Sequence, residues 1–136
     1  MGVSVRVGDD VRELGAGSFL HAFFSTISCH LEPLGWGSRF PVLMNHLYQG
    51  EIPPSLVEAA TAELAQVREE LERLPPSAVV WDIQDLSARP PWGEEIDPRI
   101  ASLAEYFVTT NGQDLFGVLC ESLAEAEDQG VAVSIG

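Results

Sequence analysis

The chain contains no lysine; its seven basic residues are all arginine, against 21 acidic ones. The resulting formal charge of −14 and pI near 4.3 set it against phosphate backbones, which repel such a surface. Nucleic acid is therefore not an expected partner. A basic protein is, because complementary charge speeds encounter. Long hydrophobic runs are also missing, and none approaches the ~20 residues that cross a bilayer. The opening MGVSVRVGDD has no basic segment followed by an apolar one, and Arg6 stands where a myristoylation motif needs Ser or Thr. A cytoplasmic location is expected, without membrane attachment.

Cysteine is scarce. Cys29 and Cys120 are the only two, and both fall in apolar helical patterns where a free thiol behaves as a small buried hydrophobe. A structural disulfide is not expected. With a hydrophobic share of 46% over 136 residues, the composition is that of one globular domain with its own core.

The patterning reads as a succession of short elements. VSVRV at 3 to 7 alternates, Gly8, Asp9 and Asp10 can turn, and residues 11 to 14 return as a second strand. Ser18 is placed to cap a helix reaching about Glu32. Leu20, Phe23, Phe24, Ile27 and Leu31 form its apolar stripe, with His21, Ser25, Ser28 and Glu32 together on the other side. Residues 40 to 48 suggest a shorter helix stopped by Gly50. A longer one runs from 56 to 74, with Ser55 and Glu58 as a capping box and Pro75 and Pro76 closing it. Its seam of Val57, Ala60, Leu64, Val67, Leu71 and Leu74 suits packing on a sheet.

AVVWDI at 78 to 83 reads as a buried central strand, followed by an irregular connection from 84 to 98 and a helical turn or two between 100 and 107. A helix at 113 to 129 ends on Gly130, and VAVSI at 131 to 135 alternates as a last strand. The fold class is α/β, with α+β as the alternative: a small mixed sheet of about four strands carrying three to four helices.

Catalytic signatures are thin. GAGS at 15 to 18 has a phosphate loop's glycines without its lysine. Ser25 and His21 lie one helical turn apart, but no carboxylate is evident to orient the histidine. His21, Cys29, His30 and His46 do not have metal-ligand spacing. The strongest enzymatic signal is Asp82 and Asp85 after the expected central strand, the place where α/β enzymes hold magnesium. No cofactor and no metal is expected. Two other features break local rules. Glu121, Glu125 and Asp128 form an acidic stripe at i, i+4 and i+7, with Glu127 beside it and no arginine in that helix. Such a stripe is self-repelling and opposes the helix dipole. The connection from Asp82 to Asp97 surrounds Trp92 with Asp82, Asp85, Glu94, Glu95 and Asp97 against Arg89, a plausible anchor for a basic partner.

Four segments, GSFLHAFFSTISCHLE (17 to 32), WGSRFPVLMNHLYQG (36 to 50), LPPSAVVWDIQDLS (74 to 87) and PPWGEEI (90 to 96), together resemble the bacterial immunity protein 70 family. The resemblance covers nearly the whole chain. It implies a single-domain immunity protein of a polymorphic toxin system, one that binds and neutralises a cognate toxin and has no catalytic residues to carry over. Two rival readings stand beside it: a small metal-assisted enzyme built on Asp82 and Asp85, and an adaptor for some other basic protein. The first interface candidates are Glu121, Glu125, Asp128, Trp92, Glu94 and Glu95, with Asp82 and Asp85 next.

Overall fold

Val3, Val5 and Val7 alternate with Ser4 and Arg6, so one face of the first strand is apolar. That strand, β1 (Gly2–Val7), pairs with β2 (Asp10–Ala16) as the expected hairpin. A computed structural model of the chain describes residues 2 to 90 and 97 to 136. Gly8, at φ +57°, leads the two-residue turn, the position at which a tight hairpin accepts only glycine cheaply.

Helix α1 (Gly17–Leu31) follows at once. Ala16 precedes its first turn in an extended conformation and no side chain caps it, so the expected cap, Ser18, lies inside the helix instead. Its apolar stripe enters the core, where Phe23 meets Phe24, Phe107 and Phe116 edge-on at 5.2 to 5.4 Å. Residues Val42–Leu47 wind as a π-helix, wider than the expected α-turn, with Tyr48 N–H bonded to the Leu43 carbonyl. Glu63 caps its start by accepting the N–H groups of Val42 and Leu43. Burial pushes that carboxyl above its ordinary range, which the two N–H bonds oppose.

The helix α2 (Val57–Leu71) is shorter than the sequence suggests. A 3-10 turn at Pro54–Leu56 leads into it, and the Ser55–Glu58 capping box is not formed. Its seam is buried as expected. The seam faces α4 (Leu115–Gln129) and the π-helix more than the sheet, because α1 and α4 already occupy the strands' apolar side. A single turn, α3 (Leu103–Tyr106), lies between 100 and 107 as anticipated. Asp114 caps α4 by accepting the Gly117 N–H, and Gly130 ends it in the left-handed region at φ +69°.

The described residues form four strands, in the order β2-β1-β4-β3, where β3 is Glu51–Ile52 and β4 is Val133–Ile135. Every pairing is antiparallel, which places the fold on the α+β side of the reading. One membership differs: residues 78 to 83 are not a strand. A short 3-10 turn (Pro76–Ala78) leads into an irregular, half-buried segment, and β3 stands as the fourth strand.

Candidate functional site

The backbone groups of residues 78 to 83 explain why no strand forms there. They are taken by polar side chains of α1, of which Ser25 belongs to the expected polar stripe and Thr26 and His30 do not. Thr26 Oγ1 accepts the Val80 N–H at 3.0 Å, and Ser25 Oγ accepts the Ile83 N–H at 3.1 Å. His30 Nε2 donates to the Ala78 carbonyl at 2.7 Å. Satisfied in this way, the segment has no need of a sheet neighbour.

At the end of that row His21 sits between two partners, donating from Nε2 to Asp82 Oδ1 at 2.9 Å while Nδ1 lies 3.0 Å from the Tyr48 hydroxyl. A carboxylate does therefore orient His21, contrary to the sequence expectation. The arrangement is nevertheless not a nucleophile with its base, because both imidazole nitrogens are occupied and Ser25 is fully buried on the Ile83 amide. Asp82 also accepts the Gln84 N–H, and Asp85 accepts the N–H and hydroxyl of Ser87. Both acids thus have turn-forming work. Among the described residues no three His, Cys, Asp or Glu side chains are grouped to hold a metal ion.

The Asp82 carboxyl is held below its ordinary range, first by the His21 hydrogen bond and then by the Gln84 amide. A lowered carboxyl favours the folded state above its ordinary pKa and loses that contribution as pH falls through the lowered value. The 78 to 85 segment should therefore loosen below about pH 4. We expect Asp82→Asn to lower the protection of the Val80 and Ile83 amides at neutral pH and to flatten its dependence between about pH 5 and 3. Hydrogen exchange followed by NMR measures both, and unchanged protection in the variant would sink the assignment.

A second cluster forms where α4 runs beside the β1–β2 turn. Glu121, Glu127 and Asp128 are exposed, whereas Glu125 meets Arg12 at 3.1 Å, and Arg12 also donates to Ser122. The stripe therefore has relief after all, supplied from the sheet and not from its own helix. Relief is partial, because Asp10 stands against the same carboxylate. Its hydrogen bond, burial and negative charge raise the Glu125 carboxyl above the ordinary range, with Arg12 opposing. The turn itself abuts the helix end: a Cβ on Gly8 would meet Gln129 Oε1 at 2.9 Å. Arg12 and Glu125 thus join the turn that carries Asp9 and Asp10 to the helix that carries Glu121, Glu127 and Asp128.

Asp9, Asp10 and Arg12 were missed in the sequence. The signal was available, since Arg12 stands opposite Val5 and so had to share its helix-facing side. Trp92, Glu94 and Glu95 lie outside the described residues. Elsewhere in that connection, Arg99 grips Asp97 and pulls its carboxyl to about 2, while Leu86 is 66% exposed. The cysteines are free: Cys120 is half-buried, with burial pushing its thiol up, and Cys29 is exposed because it falls off the apolar stripe of α1.

Fold and site together define a small acidic α+β domain in which an acidic helix is tied to an acidic hairpin turn. The chain belongs to the immunity protein 70 family, whose family model matches residues 5–135. Membership makes it an immunity protein, a class whose partner is a toxin. Comparison with curated proteins and with solved structures gives no match. Among the described residues, no helix is long and apolar enough to cross a membrane.

Proposed function

We propose that this protein neutralises a cognate toxin by stoichiometric binding through the acidic end built from α4 and the β1–β2 turn. The observation that carries the site is the Arg12–Glu125 pair at 3.1 Å, which fixes the acidic hairpin turn beside the acidic helix. Glu125 is bonded by Arg12 and Gln129 while Asp10 stands near enough to raise its carboxyl, and Glu121 and Asp128 continue the negative charge along the helix. Like charges set close together oppose folding, and a local cost only partly relieved is where a binding role is to be sought. A basic cleft on the toxin supplies the missing counter-charges, and the acidic end occludes that cleft in the place of a phosphate backbone. The connection carrying Trp92, Glu94 and Glu95 is proposed as a second contact.

The test is co-expression with the product of the adjacent toxin gene. A one-to-one complex that survives purification, together with rescue of cells from the toxin, is the expected result. Neither binding nor rescue would overturn the reading. Association should also slow steeply as salt rises, because screening shortens the reach of the acidic end to about 10 Å at 0.1 M. A salt-insensitive rate would remove the electrostatic part of the mechanism.

A further inference from the structure

Among the described residues nothing pairs with the outer edge of β2, which lies beside this acidic end. Ser4 exchanges both backbone hydrogen bonds with Gly136, at 3.1 and 3.0 Å, so its N–H and C=O point toward the β4 side. Val5, one residue on, then points its own toward β2, opposite Arg12. Alternation along the pair turns the backbone groups of Asp10 and Arg12 inward to β1 and those of Val11 and Glu13 outward. Their side chains project from the sheet face away from α1 and α4, and Val11 is 59% exposed. Cover begins only at Leu14, whose carbonyl accepts the Thr110 N–H at 3.0 Å.

Open edges are usually blunted by proline, lysine, a bulge or a covering segment. Residues 10 to 13 have neither proline nor lysine, and the register shift opposite Val3 and Ser4 lies at the covered end. The other edge, β3, is only two residues long. What residues 10 to 13 do carry is charge: Asp10 lies near Glu125 on the helix side, where Arg12 is already paired with Glu125, and Glu13 stands on the open side. A second copy, itself carrying a net charge of −14, would bring the same acids to that edge, so self-pairing is opposed. A basic strand is attracted on both faces.

We propose that an extended, arginine- or lysine-bearing segment of the toxin adds to the sheet beside β2 along Val11–Glu13. Main-chain bonds to those two residues give affinity, and alternate basic side chains meet Glu13 on one face and Asp10 with Glu125 on the other. The proposal rests on the toxin-binding reading and specifies its geometry.

Val11→Pro tests it, because it deletes an outward N–H that has no partner among the described residues and sits where an edge strand tolerates proline. The expected result is an unchanged fold by circular dichroism and a toxin affinity about tenfold weaker or worse. Hydrogen exchange on the wild-type complex gives a second readout independent of any variant. The Val11 and Glu13 amides should gain protection on adding toxin, while those of Asp10 and Arg12, already bonded, should change little. Wild-type toxin binding with no gain at Val11 and Glu13 would overturn the strand addition and leave the immunity reading intact. Protection of those amides that rises with protein concentration in the absence of toxin would overturn it in favour of self-pairing. Failure of the wild-type protein to bind toxin would remove both.

Discussion

Glu32→Ala should destabilise the protein by about 3 kcal/mol, lowering its melting temperature by roughly 10 °C. Glu32 is only 3% exposed, and its two carboxylate oxygens accept three backbone N–H groups, from Gly37, Arg39 and Phe40, at 3.0 to 3.1 Å. Those donors belong to a tight loop that makes no other use of them. Removing the carboxylate strands the Phe40 amide within the core and leaves the other two to whatever water can reach them. The loop is held from its far side as well, because Arg39 forks onto Glu70 of α2 at 2.6 and 2.7 Å and donates to the Leu31 carbonyl. That second grip keeps the loss short of complete unfolding. Glu32→Gln should lie between the two, because its amide nitrogen must face at least one of the N–H groups that the carboxylate accepted. Gly37→Ala should also destabilise: the residue sits at φ +80°, and a Cβ there would meet the Asn45 side chain at 2.6 Å. Thermal melts of the three variants check the order, and a Glu32→Ala protein as stable as wild type would show that the carboxylate does not hold the loop.

The double variant Glu121→Arg/Asp128→Arg is expected to move stability and binding in opposite directions. Both residues are exposed, both sit on a helix with no cation of its own, and Asp128 lies in the last turn, where negative charge opposes the dipole. Reversal should stabilise the fold by a few tenths of a kcal/mol per site. Toxin association should slow by about 100-fold at low salt, because two attractive charges become repulsive ones at the docking end. Glu58→Arg/Glu69→Arg makes the same change in net charge on α2 and serves as the control. Equal slowing by both pairs would assign the effect to overall charge and remove the acidic end as the contact surface.

Much of the fold was legible in the sequence because its longer elements carry strong periodicity. The hairpin, α1, α2, α4 and the last strand each stand where alternation or a repeating apolar stripe placed them. The π-helix and β3 were harder to see. A wider winding keeps the same apolar residues inside, and two residues are too few to alternate. Residues 78 to 83 misled for a definite reason: an apolar, β-branched run signals burial but not what takes its backbone bonds, and here the takers are Ser25, Thr26 and His30, about 50 residues earlier. The same long-range contact hid the role of Asp82. The acidic stripe of α4 was visible from spacing alone, whereas its meeting with Asp10 and Arg12 depends on how the hairpin lies against the helix.

The grip of α1 on the 78 to 83 segment has a consequence for which of the segment's side chains matter to the hold. Ser25, Thr26 and His30 hold main-chain atoms of Ile83, Val80 and Ala78, which every residue type except proline at the two amides can offer. Side chains at Ala78, Val80 and Ile83 therefore take no part in these three bonds, whereas Asp82 adds a side-chain tie of its own through His21. The helix thus acts as a socket for the main chain of this segment, holding it by its backbone at three points and by its sequence at one.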